Sequence, residues 1–288
     1  FMLSACNFYM PIFEEALDAY GLPLELRYLP IIESALNPSA VSRAGASGLW
    51  QFMIGTGKIY GLESNSLVDE RRDPIKATWA AARYLKEMYD IYGDWNLVIA
   101  AYNCGPGTIN KAIRRANGET DYWKIYNYLP KETRGYVPAF IAANYVMTYY
   151  CDHNICPMET NIPASTDTVQ VNKNLHFEQI ADLCNVPLDQ IKSLNPQYKK
   201  HMIPGDSKPY TLRLPIDAIS TFIDKQDTIY AHRADELFRN RKTVAVKEIT
   251  PSTRKTTAAV AGKGKLTYYT IKSGDTLSTI AGKYGVTI

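Results

Sequence analysis

Asp73-Pro74-Ile75-Lys76-Ala77-Thr78-Trp79-Ala80-Ala81-Ala82-Arg83-Tyr84-Leu85-Lys86-Glu87-Met88-Tyr89-Asp90-Ile91-Tyr92-Gly93 carries a full set of helix signals. Asp73 is placed to cap the start. Pro74 suits the first helical position, where a missing N–H has no intrahelical partner to lose. Gly93 suits the left-handed residue that ends a helix. Ile75, Trp79, Ala82, Leu85 and Tyr89 recur at helical spacing. Working outward, Pro11–Tyr20 reads as a helix closed by Gly21, with a stripe reaching back to Phe8. Leu24–Leu36 is a second helical stretch, with Pro30 as a kink or a fresh start. Asn37-Pro38, Gly45 and Gly48 mark residues 37–48 as loop. Asn96–Asn103, Pro106–Ala116 and Pro130–Tyr150 read as further helices. No alternating run competes as a sheet, so residues 1–160 read as a compact α domain.

Beyond residue 160 the texture changes. Short β-type runs at Thr168–Val171 and Tyr210–Leu214 flank helical stretches at Phe177–Cys184 and Leu188–Leu194. Residues 216–240 look helical again, and 241–264 read as a linker of Thr, Lys, Ala and Gly. An offset of 100 pairs Val171 with Ile271, Phe177 with Leu277, Ile180-Ala181 with Ile280-Ala281 and Val186 with Val286. A matched strand, turn and helix used twice suggests paired binding modules rather than one core; chance likeness of two small units is the alternative.

The chain has 288 residues, 46% hydrophobic and 21% charged, which fits two globular units and excludes a mostly disordered chain. No apolar run has the length of a membrane-spanning helix. The net charge of +3 is uneven: residues 239–265 carry eight basic side chains against Glu248. A basic tether on a mildly acidic body reads as a solvated linker, not as a nucleic-acid-binding face. Cys151 and Cys156 are the two cysteines close in sequence, and a disulfide or two free thiols fits them equally. With only His153 between them they lack the paired spacing of a zinc site, so no metal is expected. Leu3-Ser4-Ala5-Cys6 has the form of a lipoprotein cleavage box, but the helical stripe runs across it.

Glu33 stands in Tyr28-Leu29-Pro30-Ile31-Ile32-Glu33-Ser34-Ala35-Leu36, among apolar neighbours. A carboxyl partly buried there titrates above its usual range and keeps a proton to transfer near neutral pH. Alone, it reads equally as the polar stripe of a helix. Three further clusters follow in order: Gly48-Leu49-Trp50-Gln51-Phe52-Met53, Ala101-Tyr102-Asn103-Cys104-Gly105 and Glu132-Thr133-Arg134-Gly135-Tyr136-Val137. Amides that bind N-acetyl groups and aromatics that stack on sugar rings suit an amino-sugar groove. Each cluster by itself also reads as a cap, a turn or core packing.

Glu33-Ser34, Asn37-Pro38, Ser42, Gly48-Leu49-Trp50-Gln51, Ala101-Tyr102-Asn103-x-Gly105 and Glu132-Thr133-Arg134-Gly135-Tyr136 are motifs of a known family. On them, residues 8–150 resemble the goose-type-lysozyme-like lytic transglycosylases, of the membrane-bound lytic murein transglycosylase D type. Tyr268–Ile288, with Ser273-Gly274-Asp275-Thr276-Leu277, is similar to the start of a LysM peptidoglycan-binding module. Residues 165–215 resemble a divergent LysM copy in which Lys173-Asn174-Leu175-His176 replaces that turn. The resemblance implies a mainly α lysozyme-like catalytic domain over 1–160, followed by small α+β LysM-like modules. These would be a divergent module at 161–220, a helix and basic linker at 221–264, and a truncated module at 265–288.

The implied reaction is non-hydrolytic cleavage of the MurNAc-β-1,4-GlcNAc bond of peptidoglycan, leaving a 1,6-anhydro sugar. Glu33 would protonate the leaving oxygen and then take the proton of the C6 hydroxyl as that oxygen attacks C1. Ser42 and Tyr136 would hold and tune Glu33 and that hydroxyl; Gln51, Met53, Tyr102 and Asn103 would line the sugar site. Ser34 reads as a helix or loop hydrogen bonder, and Cys104 fills the variable position of its motif. No cofactor is implied. The implied partner is the glycan strand, in the periplasm or cell envelope; an N-terminal lipid anchor preceding this stretch would make the protein an outer-membrane lipoprotein. Glu63, Asp69, Glu70 and Asp73 follow Glu33, but none lies in a motif aimed at the site, as the second acid of a hydrolase would. A lysozyme-like hydrolase, an inactive wall-binding protein and a chitin-directed enzyme are the competing expectations.

Overall fold

The computed structural model describes residues 2–158, 162, 163 and 165–238. The basic run 239–265, the linker 241–264 and the second copy of the repeat lie outside the described residues.

Helix α1 (Met2–Ala19) begins well before Pro11, which sits inside it. Ala5, Tyr9, Phe13, Ala16 and Leu17 bury one face, so packing carries the helix through the missing N–H. Leu3-Ser4-Ala5-Cys6 is part of this helix. The expected second helix divides: a 3₁₀ turn at Leu24–Tyr28 precedes α2 (Leu29–Ser34), with Pro30 in the first turn. It stops short of Leu36, because Ala35 and Leu36 adopt φ of 52° and 58°. Leu36 is fully buried, which holds this strained pair in place. The loop that follows is tied by isolated bridges, Val41 to Ser47 and Ser47 to Phe52, and leads into α3 (Ile54–Ile59).

Helix α4 (Pro74–Tyr92) is capped as the sequence predicts: the Asp73 carboxylate accepts from the N–H groups of Ile75 and Lys76, and Gly93 closes the helix at φ 62°. Its buried face differs from the expected stripe. Ala77, Ala81, Ala82, Leu85 and Met88 are buried, while Ile75 and Trp79 are each 36% exposed. Alanines let α1 and the next helix approach closely, so the small side chains set the contact. That next helix, α5 (Trp95–Cys104), is capped by Asp94 and buries every residue from Leu97 to Ala101. A helix apolar all round belongs in the middle of a core. Then come α6 (Pro106–Arg115), the short α7 (Tyr122–Ile125) and α8 (Lys131–Thr148), which packs on α5 and α2. Among the described residues no helix is long and apolar enough to cross a membrane.

The second unit of structure opens with β1 (Thr166–Val171) and β2 (Asn174–His176), continues through α9 (Phe177–Cys184) and α10 (Leu188–Leu194), and returns as β3 (Met202–Pro204) and β4 (Tyr210–Pro215). β1 pairs antiparallel with β4, Val171 opposite Tyr210; β2 pairs antiparallel with β3, Leu175 opposite Ile203. Strands of three residues give too little alternation to read from sequence, and β2 and β3 were not expected. Helices α11 (Ile216–Asp224), α12 (Gln226–Ala231) and α13 (Ala234–Leu237) follow. Phe222 and Ile229 are buried with Phe177, Ile180 and Leu212, so the packing carries this module past residue 220. Cys151 and Cys156 are exposed free thiols.

Among the described residues the two cores are distinct, with one crossing. Leu67 and Val68, from the segment between α3 and α4, are buried in the second core. Val68 forms a bridge with Tyr198, Asp69 N–H donates to the Gln197 carbonyl at 2.9 Å, and Lys199 N–H donates to the Leu67 carbonyl at 2.8 Å.

Candidate active site

Glu33 lies in the last turn of α2, half-buried. The Tyr136 hydroxyl, from the first half of α8, donates to its Oε1. Burial pushes the Glu33 carboxyl up to about 7; the Tyr136 hydrogen bond favours the charged form and works against this, and the nearby Glu132 charge adds to it. A carboxyl that titrates near neutral pH can give up a proton and take one back. Their own burial, and then the nearby Glu33 charge, hold the phenols of Tyr136 and Tyr102 well above the usual range.

The surrounding loop is fixed from three sides. Ser34 Oγ donates to the carbonyls of Pro30 and Leu49, both at 2.9 Å, as a helix and loop hydrogen bonder. Tyr102, on α5, donates its hydroxyl to the Trp50 carbonyl at 2.7 Å. Trp50 is wholly buried, with Nε1 donating to Thr78 Oγ1 at 2.9 Å. Gln51 adopts φ of 49° and donates its amide nitrogen to Gly48 O at 2.8 Å and Ala40 O at 3.3 Å. That nitrogen braces the loop. Met53 is 45% exposed at the start of α3. Asn103 Oδ1 accepts from Thr133 Oγ1 at 2.8 Å, joining the end of α5 to the start of α8. Ser42 is exposed; its Oγ accepts from the Ala46 N–H at 3.0 Å, closing its own turn.

Glu33, Tyr136 and Tyr102 are thus brought together, with Gln51, Met53 and Asn103 on the segments around them and Ser42 in a turn of the same loop. Thr133 was not singled out in the sequence, although it sits inside the Glu132–Tyr136 motif and is 1% exposed. Its hydroxyl, at the face of α8 that meets α5, orients Asn103.

The four acids between Glu33 and α4 have work elsewhere. Asp69 and Glu70 are buried: Asp69 pairs with Arg71 and Glu70 accepts from the Glu63 N–H. Asp73 caps α4, and Glu63 accepts from Tyr210. Among the described residues, no three His, Cys, Asp or Glu side chains gather as metal ligands would.

Residues 10–125 match the transglycosylase SLT domain. The helical domain belongs to the transglycosylase SLT family. In this SLT domain Glu33, Gln51, Met53, Tyr102 and Asn103 lie inside the matched span, and α8 with Tyr136 extends beyond it. Residues 165–231 match the LysM-like domain of the lytic transglycosylase MltD, and residues 269–288 match the LysM domain. The membrane-bound lytic murein transglycosylase D of Escherichia coli K12 is 32% identical over 270 residues, 92% of this chain and 55% of that protein. The soluble lytic murein transglycosylase of the same strain is 33% identical over 124 residues, 41% of this chain and 19% of that protein. The chain therefore spans about half the length of the first of these relatives. The crystal structure of the 70 kDa soluble lytic transglycosylase of Escherichia coli aligns over 50% of this chain and 24% of that one, at 29% identity and a TM-score of 0.43.

Proposed function

We propose that this chain is a peptidoglycan lytic transglycosylase, cleaving the MurNAc-β-1,4-GlcNAc bond without water. The observation that carries the reading is Glu33: a half-buried carboxyl in an SLT domain, titrating at about 7 and in hydrogen-bond contact with Tyr136. In its protonated form Glu33 gives a proton to the glycosidic oxygen, and the C1–O bond of MurNAc breaks. The carboxylate left behind takes the proton of the C6 hydroxyl as O6 bonds to C1. One group serves as acid and then as base, and ends the cycle protonated. The products are a 1,6-anhydroMurNAc end and a free GlcNAc 4-hydroxyl.

Tyr136 holds the carboxyl that does this, with Ser42 in the neighbouring turn. Gln51, Met53, Tyr102 and Asn103 line the sugar site, with Tyr102 and Asn103 set by Trp50 and Thr133. The LysM-like module and the LysM match at residues 269–288 support the glycan strand of the wall as the partner. The membrane-bound relative supports a place in the cell envelope or periplasm, and a lipid anchor outside this stretch belongs to the same reading.

A hydrolytic reading has one observation in its favour: the charge of exposed Glu132 is felt by Glu33, and hydrolases use a second carboxylate. Digestion of purified peptidoglycan, with mass spectrometry of the fragments, separates the two. Anhydro ends, lighter by one water, are expected. Reducing MurNAc ends in their place would establish the hydrolase.

A further inference from the structure

The segment between α3 and α4 faces two ways. Toward the module, Val68 bridges Tyr198, and Asp69 and Lys199 exchange backbone hydrogen bonds with Gln197 and Leu67. The Lys199 ammonium donates to the Asn65 carbonyl at 2.7 Å and stands 3.7 Å from Asp69 Oδ2. Toward the SLT domain, Asp69 takes both ends of the Arg71 guanidinium, Nε to Oδ1 at 2.9 Å and Nη2 to Oδ2 at 2.8 Å. Arg71 Nη1 donates to the carbonyls of Gly45 at 2.8 Å and Phe52 at 2.9 Å. Asp69 is 1% exposed and Arg71 is 5% exposed. These two carbonyls bracket the loop that carries Gln51, and that loop is bonded at Leu49 to Ser34, beside Glu33, and at Trp50 to Tyr102.

A forked, buried guanidinium–carboxylate pair has fixed geometry, so it transmits position and not merely charge. We propose that the LysM-like module is a brace for the candidate active site: through Asp69 and Arg71 it holds the Gly45–Phe52 loop in place, with Asp69 and Lys199 as positioning residues. The proposal rests on the reading of Glu33 and its loop given above. It assigns the module a role within the catalytic unit that needs no sugar on the module itself. That role accommodates the missing glycine–aspartate turn in the divergent copy. It also accounts for the burial of Leu67 and Val68 in the module's core instead of in their own domain's.

The test uses the full chain and two variants. Asp69→Asn keeps the shape and removes the charge facing Arg71; Lys199→Met removes the module's side-chain contacts to Asn65 and Asp69, keeps the backbone bonds, and disturbs folding less. Hydrogen exchange of the amides in residues 45–52 is expected to speed up by roughly 2- to 30-fold in both, the size of couplings carried by such networks. Exchange in α1 and α5 is expected to stay as in the wild type. On soluble glycan, kcat is expected to fall by a similar factor while KM changes less, and Lys199→Arg is expected to restore both readouts. Unchanged loop exchange and kcat in both variants would overturn the brace. A uniform loss of Tm, with kcat unaltered in the folded fraction, would also overturn it by reducing the contact to stability alone. If the wild type releases no fragments, the functional reading of Glu33 fails, and loop exchange alone decides the brace.

Discussion

Tyr136 and Glu33, 103 positions apart, meet through a single hydrogen bond from phenol to carboxylate. It joins α8 to the end of α2, and it opposes the local environment. Burial favours the neutral acid, whereas a donor aimed at the carboxylate favours the anion. The balance at about 7 belongs to both groups, not to the glutamate alone.

Tyr136→Phe removes the donor and leaves the burial. The Glu33 carboxyl should then titrate higher than it does now. The alkaline limb of the kcat–pH profile, which reports loss of the acid form, should move to higher pH. The carboxyl also loses its anchor but keeps its proton, so kcat at neutral pH should drop about tenfold, short of the roughly 100-fold or more that loss of an acid–base group itself costs. An alkaline limb that stays put or moves down would mean that the phenol does not bear on the proton transfer.

Glu33→Gln should lose at least about 100-fold in turnover, because the amide neither gives nor takes the proton. Stability carries an independent signature. The folded state raises the pKa from 4.5 to about 7, so it favours the protonated form. The linked stability is full below pH 4.5 and is lost as pH climbs through about 7. The loss has a ceiling of about 3 kcal/mol, at about 1.4 kcal/mol per pH unit. Glu33→Gln should therefore match the wild type near pH 4 and exceed it near pH 8 in urea unfolding. Parallel stability curves at both pH values would show that Glu33 is solvated in the folded chain.

Much of this architecture was legible in the sequence where the signals are local. Asp73, Pro74 and Gly93 bound α4 because caps and left-handed ends are decided by a few adjacent residues. Glu33, Tyr102, Asn103 and Tyr136 were legible as clusters, but their meeting was not, since it depends on how α2, α5 and α8 pack. Gln51 shows the limit most plainly. An amide in a glycine-bearing loop suggests ligand binding, yet its nitrogen is committed to two backbone carbonyls. Leu67 and Val68 were invisible for another reason. Their apolar character is ordinary, and only the docking of the module shows which core they enter.

Thr133→Val tests how Asn103 is set. The hydroxyl is buried and donates to Asn103 Oδ1, so an isosteric methyl leaves that carbonyl without its donor. Stability should fall by about 1–2 kcal/mol, the cost of one unmet buried hydrogen bond. If Asn103 holds the sugar through its amide, KM on soluble glycan should rise severalfold while the Glu33 pH profile keeps its midpoint. An unchanged KM would restrict Asn103 to joining α5 to α8.

Gly48→Ala should be the most damaging single methyl in the site loop. Gly48 has φ of 88°, and a Cβ there would lie 1.8 Å from the Arg71 carbonyl oxygen and 2.7 Å from its carbon. Neither atom can yield without moving the turn that carries Arg71, so the loop and its ion pair must part. Gly61→Ala is the control: φ is 83°, yet nothing lies within 4 Å of the added carbon. Left-handed strain alone costs about 1–2 kcal/mol. Gly48→Ala should exceed its control by more than about 2 kcal/mol in denaturant unfolding, as expected where a backbone clash adds to strain. It should also lower kcat in the fraction that remains folded. Equal costs for the two substitutions would show that the Gly45–Phe52 loop does not rest on the Asp69–Arg72 turn, and the ion pair at Arg71 would then have nothing rigid to hold.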